Sequence, residues 1–259
     1  KIDLLDQFIM AYNSIKKNWK KTDYDISLFH NKNIPFNKND LDKLNKLEIN
    51  IIPCEPDHIK IPYLCRNSAL TYKLPKKGSH RLIVDTDTLF LREPVFDLSC
   101  DWQAMFSGTA DNISEKDLNN INNKYKFNLD LSKYYRKDIF KNYIENSNIY
   151  KELFPHFNAG VFLVKEELCN KFVSLYKDAW NISYDYNVNK YINHIGIQYA
   201  QSFALIKLSE NWKPFIPGIN YLGKAYDINK FGKENIIIFH YCGVNGEDNV
   251  YKYFSEYLL

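Results

Sequence analysis

The first ninety residues alternate helical and strand periodicity, and this constrains the fold more than any other feature. Leu4, Leu5, Phe8, Ile9, Tyr12 and Ile15 recur at helical spacing, which predicts a helix over Leu4 to Trp19. Asp25 to His30 and Ile49 to Pro53 read as short strands, with a helix between them capped at Asn39 and running to about Leu47. Pro62 suits the start of a further helix reaching about Lys73, and Arg81-Leu82-Ile83-Val84 enters a buried strand. Strand and helix in alternation imply βαβ units and a sheet covered on both faces.

The remainder sustains one domain, residues 1–259, with one interruption. From about 111 to 152 the chain turns rich in Asn, Lys and Tyr and loses buried-strand signals, which predicts a helical insertion. Its Lys124, Tyr125, Lys133, Tyr134, Tyr135, Arg136 and Lys137 suit contact with sugars or an anionic surface, or a solvated excursion. A strand over Phe157 to Val164, helices over Lys165 to Trp180 and Gly196 to Leu205, and a strand over Asn235 to His240 follow. A Gly-containing loop and a short tail close the chain.

Composition removes several classes. Lys plus Arg is 34 against 31 acids, and a net charge of +3 is too small for a dedicated nucleic-acid binder. The five cysteines lack CxxC spacing, against both a zinc site and a disulfide framework, and fit reduced thiols in a cytoplasmic setting. No apolar run approaches a membrane span, so any membrane contact is expected to be peripheral. The start carries neither Met nor an apolar leader, and an excised chain is expected.

Chemistry concentrates where the strand Leu82-Ile83-Val84 ends in Asp85-Thr86-Asp87. Acids spaced i, i+2 at the carboxyl end of a central parallel strand stand where open α/β sheets bind ligands. Left alone they repel and are costly to desolvate, and a divalent Mg²⁺ or Mn²⁺ resolves both problems. Removing Asp87 is then expected to leave stability unchanged or higher. An acidic turn that merely ends a strand is the bland alternative. A haloacid-dehalogenase-type phosphatase also uses such acids, with the first as nucleophile. Its Thr falls where Leu89 stands, and its motif opens the fold instead of following two strand–helix units.

Three segments in order point elsewhere. Arg81 to Pro94, Phe157-Asn158-Ala159-Gly160-Val161-Phe162 and Ile237-Ile238-Phe239-His240-Tyr241-Cys242-Gly243 resemble motifs of the GT-A nucleotide-sugar glycosyltransferases, specifically family eight, the glycogenin-like group. The resemblance covers Tyr24 to Gly243. It implies an α/β, Rossmann-type mixed and mainly parallel sheet flanked by helices. It implies a Mn²⁺- or Mg²⁺-dependent hexosyltransferase that uses a nucleotide-diphosphate sugar, UDP-linked by family default, and acts on a glycan, lipid-linked or protein hydroxyl. Asp85, Asp87 and His240 would hold the metal. Arg66, Thr86, Asn158, Ala159, Gly160, Gly243 and Lys252 would join the two acids in holding the donor. Asp87, Asn158 and Gln198 would act at the reacting carbon. Retention of configuration is expected, since amides stand where an inverting enzyme needs a carboxylate base, with Glu166, Asp185 and Glu210 as the acids to watch. A binding module that kept the donor site without turnover remains a third reading. The family's opening strand is expected before the helix Leu4 to Trp19, with Lys1-Ile2-Asp3 as its stub or the strand lost or supplied elsewhere.

Overall fold

A computed structural model of the protein describes residues 2–21, 24–57, 64–74, 78–106, 122–123, 157–185, 195–216, 218–222, 228–241 and 244–258. The expected insertion lies outside these residues apart from 122 and 123, as do Pro62 and Gly243.

Helix α1, Leu4–Asn18, starts where Asp3 accepts a hydrogen bond from the Asp6 N–H and buries Phe8, Ile9, Met10, Ala11 and Tyr12. Strand β1, Ser27–Asn31, pairs in parallel with β2, Asn50–Cys54. Between them α2, Lys38–Leu44, opens on a capping box formed by Asn37 and Asp40, so the cap is Asn37 and not the expected Asn39. Helix α3, Arg66–Thr71, leads into β3, His80–Val84, and a tight turn passes to β4, Thr88–Phe90. Strand β5, Trp102–Phe106, and the nine-residue β6, Phe157–Lys165, complete the central layer. Helices α4, Cys169–Asp185, and α5, Ile195–Leu208, follow. The chain ends through β7, Trp212–Pro214, β8, Tyr221–Leu222, α6, Ile228–Phe231, β9, Ile238–His240, and α7, Val244–Tyr253.

One sheet runs β3-β6-β5-β7 and another β4-β9-β8. The α/β architecture with a mixed sheet is as expected, but the strand directions differ in detail. Among the described residues β1–β2, β5–β7 and β8–β9 are parallel, whereas β3–β6, β5–β6 and β4–β9 are antiparallel. The strand that ends in the acids therefore lies antiparallel to β6.

The largest core cluster joins β5 and β6 to α4 and α5 through Trp102, Phe157, Phe162, Phe172, Tyr176 and Phe203. Trp102 stacks on Trp212 at 4.7 Å between ring centroids. Burial of each such side chain contributes roughly 1.5–3 kcal/mol, which makes β6 a rigid support for what sits at its start. A cleft of about 1920 Å³ runs past α1, β1 and β3 and reaches Asp85, Asp87, Gly160 and His240.

Candidate active site

The acids owe their places to two different ladders. Asp85 continues the β3–β6 ladder, its N–H donating to the Gly160 carbonyl at 2.7 Å. The Thr88 hydroxyl donates back to the Asp85 carbonyl at 2.9 Å and closes the turn into β4. The Thr86 hydroxyl bonds Gln7 Oε1 at 3.2 Å, tying that turn to α1. Strand β4 then pairs antiparallel with β9, setting Thr88 opposite His240, while the Tyr241 N–H donates to the Asp87 carbonyl at 3.0 Å. His240 thus meets Asp87 through an antiparallel register and not, as expected, through neighbouring parallel strand ends. One ligand atom from each of Asp85, Asp87 and His240 lies within 4.8 Å of the other two.

Each carboxylate faces a nitrogen base. Asp87 Oδ1 is 3.2 Å from His240 Nε2. Burial alone would push the imidazole down; the charge and hydrogen bond of Asp87, with Asp85 behind it, outweigh that and move its pKa up. Arg66 is buried at the start of α3, lines the cleft, and grips Asp85 through Nη2, at 2.9 Å and 3.2 Å from the two oxygens. The acids are therefore already compensated. Removing Asp87 would relieve little repulsion and strip the buried His240 of its partner, so the geometry gives no reason for the higher stability that is one of the two expected outcomes.

Behind these pairs runs a closed polar circuit. Arg66 Nη1 donates to Gln201 Oε1 at 3.3 Å, and Gln201 Nε2 reaches the Asn158 carbonyl at 3.4 Å. Asn158 Oδ1 accepts from the Gly160 N–H at 2.8 Å and from Asn220 Nδ2 at 3.0 Å. Asn220 Oδ1 lies 3.0 Å from His240 Nδ1. Gln201 and Asn220 are fully buried, and their satisfaction by one another's partners is what makes their burial tolerable. Neither belongs to a motif, and residue order alone does not single them out. A glutamine flanked on its helix by Ala200, Phe203, Ala204 and Leu205, and an asparagine two residues past Gly218, are the available signals.

Gly160 has a reason in space. A Cβ there would stand 2.1 Å from His240 Cε1 and 2.6 Å from Nδ1, so the close approach it permits is that of the imidazole ring. Ala159 packs with Leu64 and Trp180. Gln198 lines the cleft with its Oε1 buried and unpartnered among the described residues. Lys252 is not brought to the cleft: it is exposed on α7, its Nζ over the Tyr253 ring at 4.8 Å. Glu166 lies at the opposite end of β3, held by Arg81. Glu210 is exposed beyond α5, next to the β5–β7 edge.

No family model and no curated protein matches the sequence. Solved structures do. An active-site mutant of LgtC aligns at a TM-score of 0.50 and 15% identity, over 94% of this chain and 85% of that one. GlyE, a glycosyltransferase of Streptococcus pneumoniae TIGR4, aligns at 0.51 and 13%, over 98% and 57%. The bifunctional glycosyltransferase WbbM aligns at 0.51 and 12%, over 99% and 48%. This chain spans about half the length of the GlyE and WbbM chains. The likeness shows the fold, which is that of the GT-A glycosyltransferases.

Proposed function

We propose that the protein is a metal-dependent glycosyltransferase that moves a sugar from a nucleotide-diphosphate donor to a hydroxyl acceptor. The convergence of Asp85, Asp87 and His240 at a large cleft carries this reading. Two carboxylates and one imidazole are a donor set that suits Mn²⁺, and Mg²⁺ less closely because of the nitrogen. A cation held there by Asp85, Asp87 and His240 would supply positive charge to offset that of the departing diphosphate.

The chain's own groups supply the rest. Arg66 is the permanent positive charge at the site, and a donor phosphate entering beside Asp85 meets it without a change of protonation. Thr86, Asn158, Ala159 and Gly160 form the donor wall, with Asn158 positioned by both neighbouring amides. Gln198 offers a polar group toward the reacting carbon from α5. The uridine base and the donor role of Gly243 are carried over from the resemblance, and a cytoplasmic setting from the scattered cysteines. Among the described residues no helix is long and apolar enough to cross a membrane. A glycan, lipid-linked or protein hydroxyl remains the acceptor class.

Retention is the favoured outcome. Glu166 is committed to Arg81, Glu210 stands away from the acids, the Asp185 side chain lies outside what is described, and amides flank the cleft where an inverting base would be needed. Calorimetric titration with UDP, with and without Mn²⁺, followed by a donor-sugar screen for hydrolysis and transfer, tests the whole reading. Mn²⁺-dependent UDP binding with donor turnover is expected. Phosphatase turnover indifferent to nucleotide, or binding without any turnover, would overturn it. An anomeric NMR coupling opposite to the donor's in the first-formed product would refute retention.

A further inference from the structure

We propose that Asn220 is a positioning residue that fixes the tautomer of His240, placing the proton on Nδ1 and presenting Nε2 to Asp85 and Asp87. The inference rests on the metal-site reading above, although its central observable does not require a metal.

The polarity of the network follows from backbone groups whose roles cannot be exchanged. The Gly160 N–H only donates, so the atom of Asn158 that it meets at 2.8 Å is the amide oxygen. That oxygen only accepts, so the Asn220 atom 3.0 Å away is its NH₂ group. The same NH₂ lies 3.5 Å from the Val161 carbonyl, a second group that only accepts. Two acceptors on one side fix the Asn220 amide, and its oxygen must then face His240 Nδ1 at 3.0 Å. An amide oxygen cannot donate, so Nδ1 carries the hydrogen. Asp87 Oδ1, 3.2 Å from Nε2, is an acceptor too, so both nitrogens carry hydrogen in the charged ring. In the neutral ring the two acceptors compete for the single hydrogen; the fixed Asn220 oxygen holds it on Nδ1, and Nε2 is the nitrogen given up to a cation. Metal-ligating histidines are commonly oriented through their other nitrogen in this way.

The backbone shows that Asn220 is held for this task. Its φ is +59°, in the left-handed region where Asn and Gly are tolerated and most residues are strained. It immediately precedes β8, whose parallel register sets Leu222 opposite His240. It is completely buried. Gly160 completes the arrangement by leaving no Cβ to tilt the ring.

The left-handed φ makes Asn220→Gly an informative variant, because Gly keeps the backbone while removing the acceptor. Long-range ¹H–¹⁵N NMR on the metal-free protein, at a pH where His240 is neutral, reads the tautomer directly. Wild type is expected to show hydrogen on Nδ1, and Asn220→Gly a shift toward hydrogen on Nε2. Mn²⁺ affinity, read by calorimetry, should fall about tenfold or more in that variant. Asn220→Asp keeps an acceptor toward Nδ1 and should retain the wild-type tautomer, which supplies a second test if Asn220→Gly does not fold. Hydrogen on Nε2 in wild type, an unchanged tautomer in Asn220→Gly, or loss of the Nδ1 hydrogen in Asn220→Asp would overturn the proposal. If wild type shows the Nδ1 tautomer yet binds no Mn²⁺, the metal reading fails and the tautomer assignment stands.

Discussion

The two ends of β3 each set a buried arginine against a carboxylate. At the N-terminal end Arg81 donates through Nε and Nη2 to both oxygens of Glu166, and through Nη1 and Nη2 to the carbonyls of Ala69 and Tyr72. At the C-terminal end Arg66 presents one nitrogen, Nη2, to both oxygens of Asp85, a longer contact to Gln201, and leaves Nε buried without a partner among the described residues. The first pair engages four of the five guanidinium N–H donors and both carboxylate oxygens. The second is less complete, with Nε unpartnered among the described residues, although residues of both pairs reach the cleft. The two ion pairs thus differ in how many of their donors are engaged more than in burial.

The strongest way to break this contrast is at the open end. Asp87→Ala should abolish Mn²⁺-dependent nucleotide binding, measured by calorimetry, with a much smaller change in unfolding midpoint; retained binding would remove the open end's function. At the closed end, Arg81→Met leaves Glu166 and two carbonyls without their donors. It should cost about 3 kcal/mol in urea unfolding while Mn²⁺ affinity is unchanged. A variant equally impaired in both would erase the distinction.

Gly160→Ala sharpens the comparison, since its Cβ collides with the imidazole and not with backbone. Overpacking should lower stability by about 1–3 kcal/mol and weaken Mn²⁺ binding roughly tenfold through the displaced ring. The smallest effect is one of pH. Asp57 accepts the Asn67 N–H with both oxygens, beside Arg66. Burial pushes its pKa up to about 6, against the opposing pull of Asn67 and Arg66. A carboxyl raised on folding binds more protons in the folded state. Its contribution to stability is therefore greatest below the ordinary carboxylate range and is lost as pH rises to about 6. The wild-type minus Asp57→Asn difference in unfolding free energy should decline over that window and stay flat above it.

Much of this is legible in residue order. Leu82-Ile83-Val84 before Asp85 marks a strand ending in acids, and the apolar spacing of Leu4 to Ile15 or Phe172 to Ala179 marks helices. His240 stands out as a polar residue closing the run Ile236 to Phe239. Strand direction is not legible, because a buried strand reads the same whichever way its neighbour runs. Strand β5 escapes notice as a five-residue run containing Gln103, and α7 reads as loop because Asn245 to Asn249 hides the buried Val250 and Phe254. Gln201 and Asn220 escape for a deeper reason: their meaning lies in what they bond, and those partners are distant in the chain.

The pairing of Thr88 with His240 joins segments about 150 residues apart, and this governs when the site comes into being during folding. Closing so long a loop is entropically unfavourable until other contacts have formed, so this ladder belongs among the slow, non-local steps. A slip of one residue would turn the imidazole to the opposite face of the sheet. No early hairpin or isolated half of the chain holds both acids and the histidine. The capacity to bind a cation would then arise only with the finished topology, and a bound cation would act as a latch on the whole chain, slowing its unfolding as one unit.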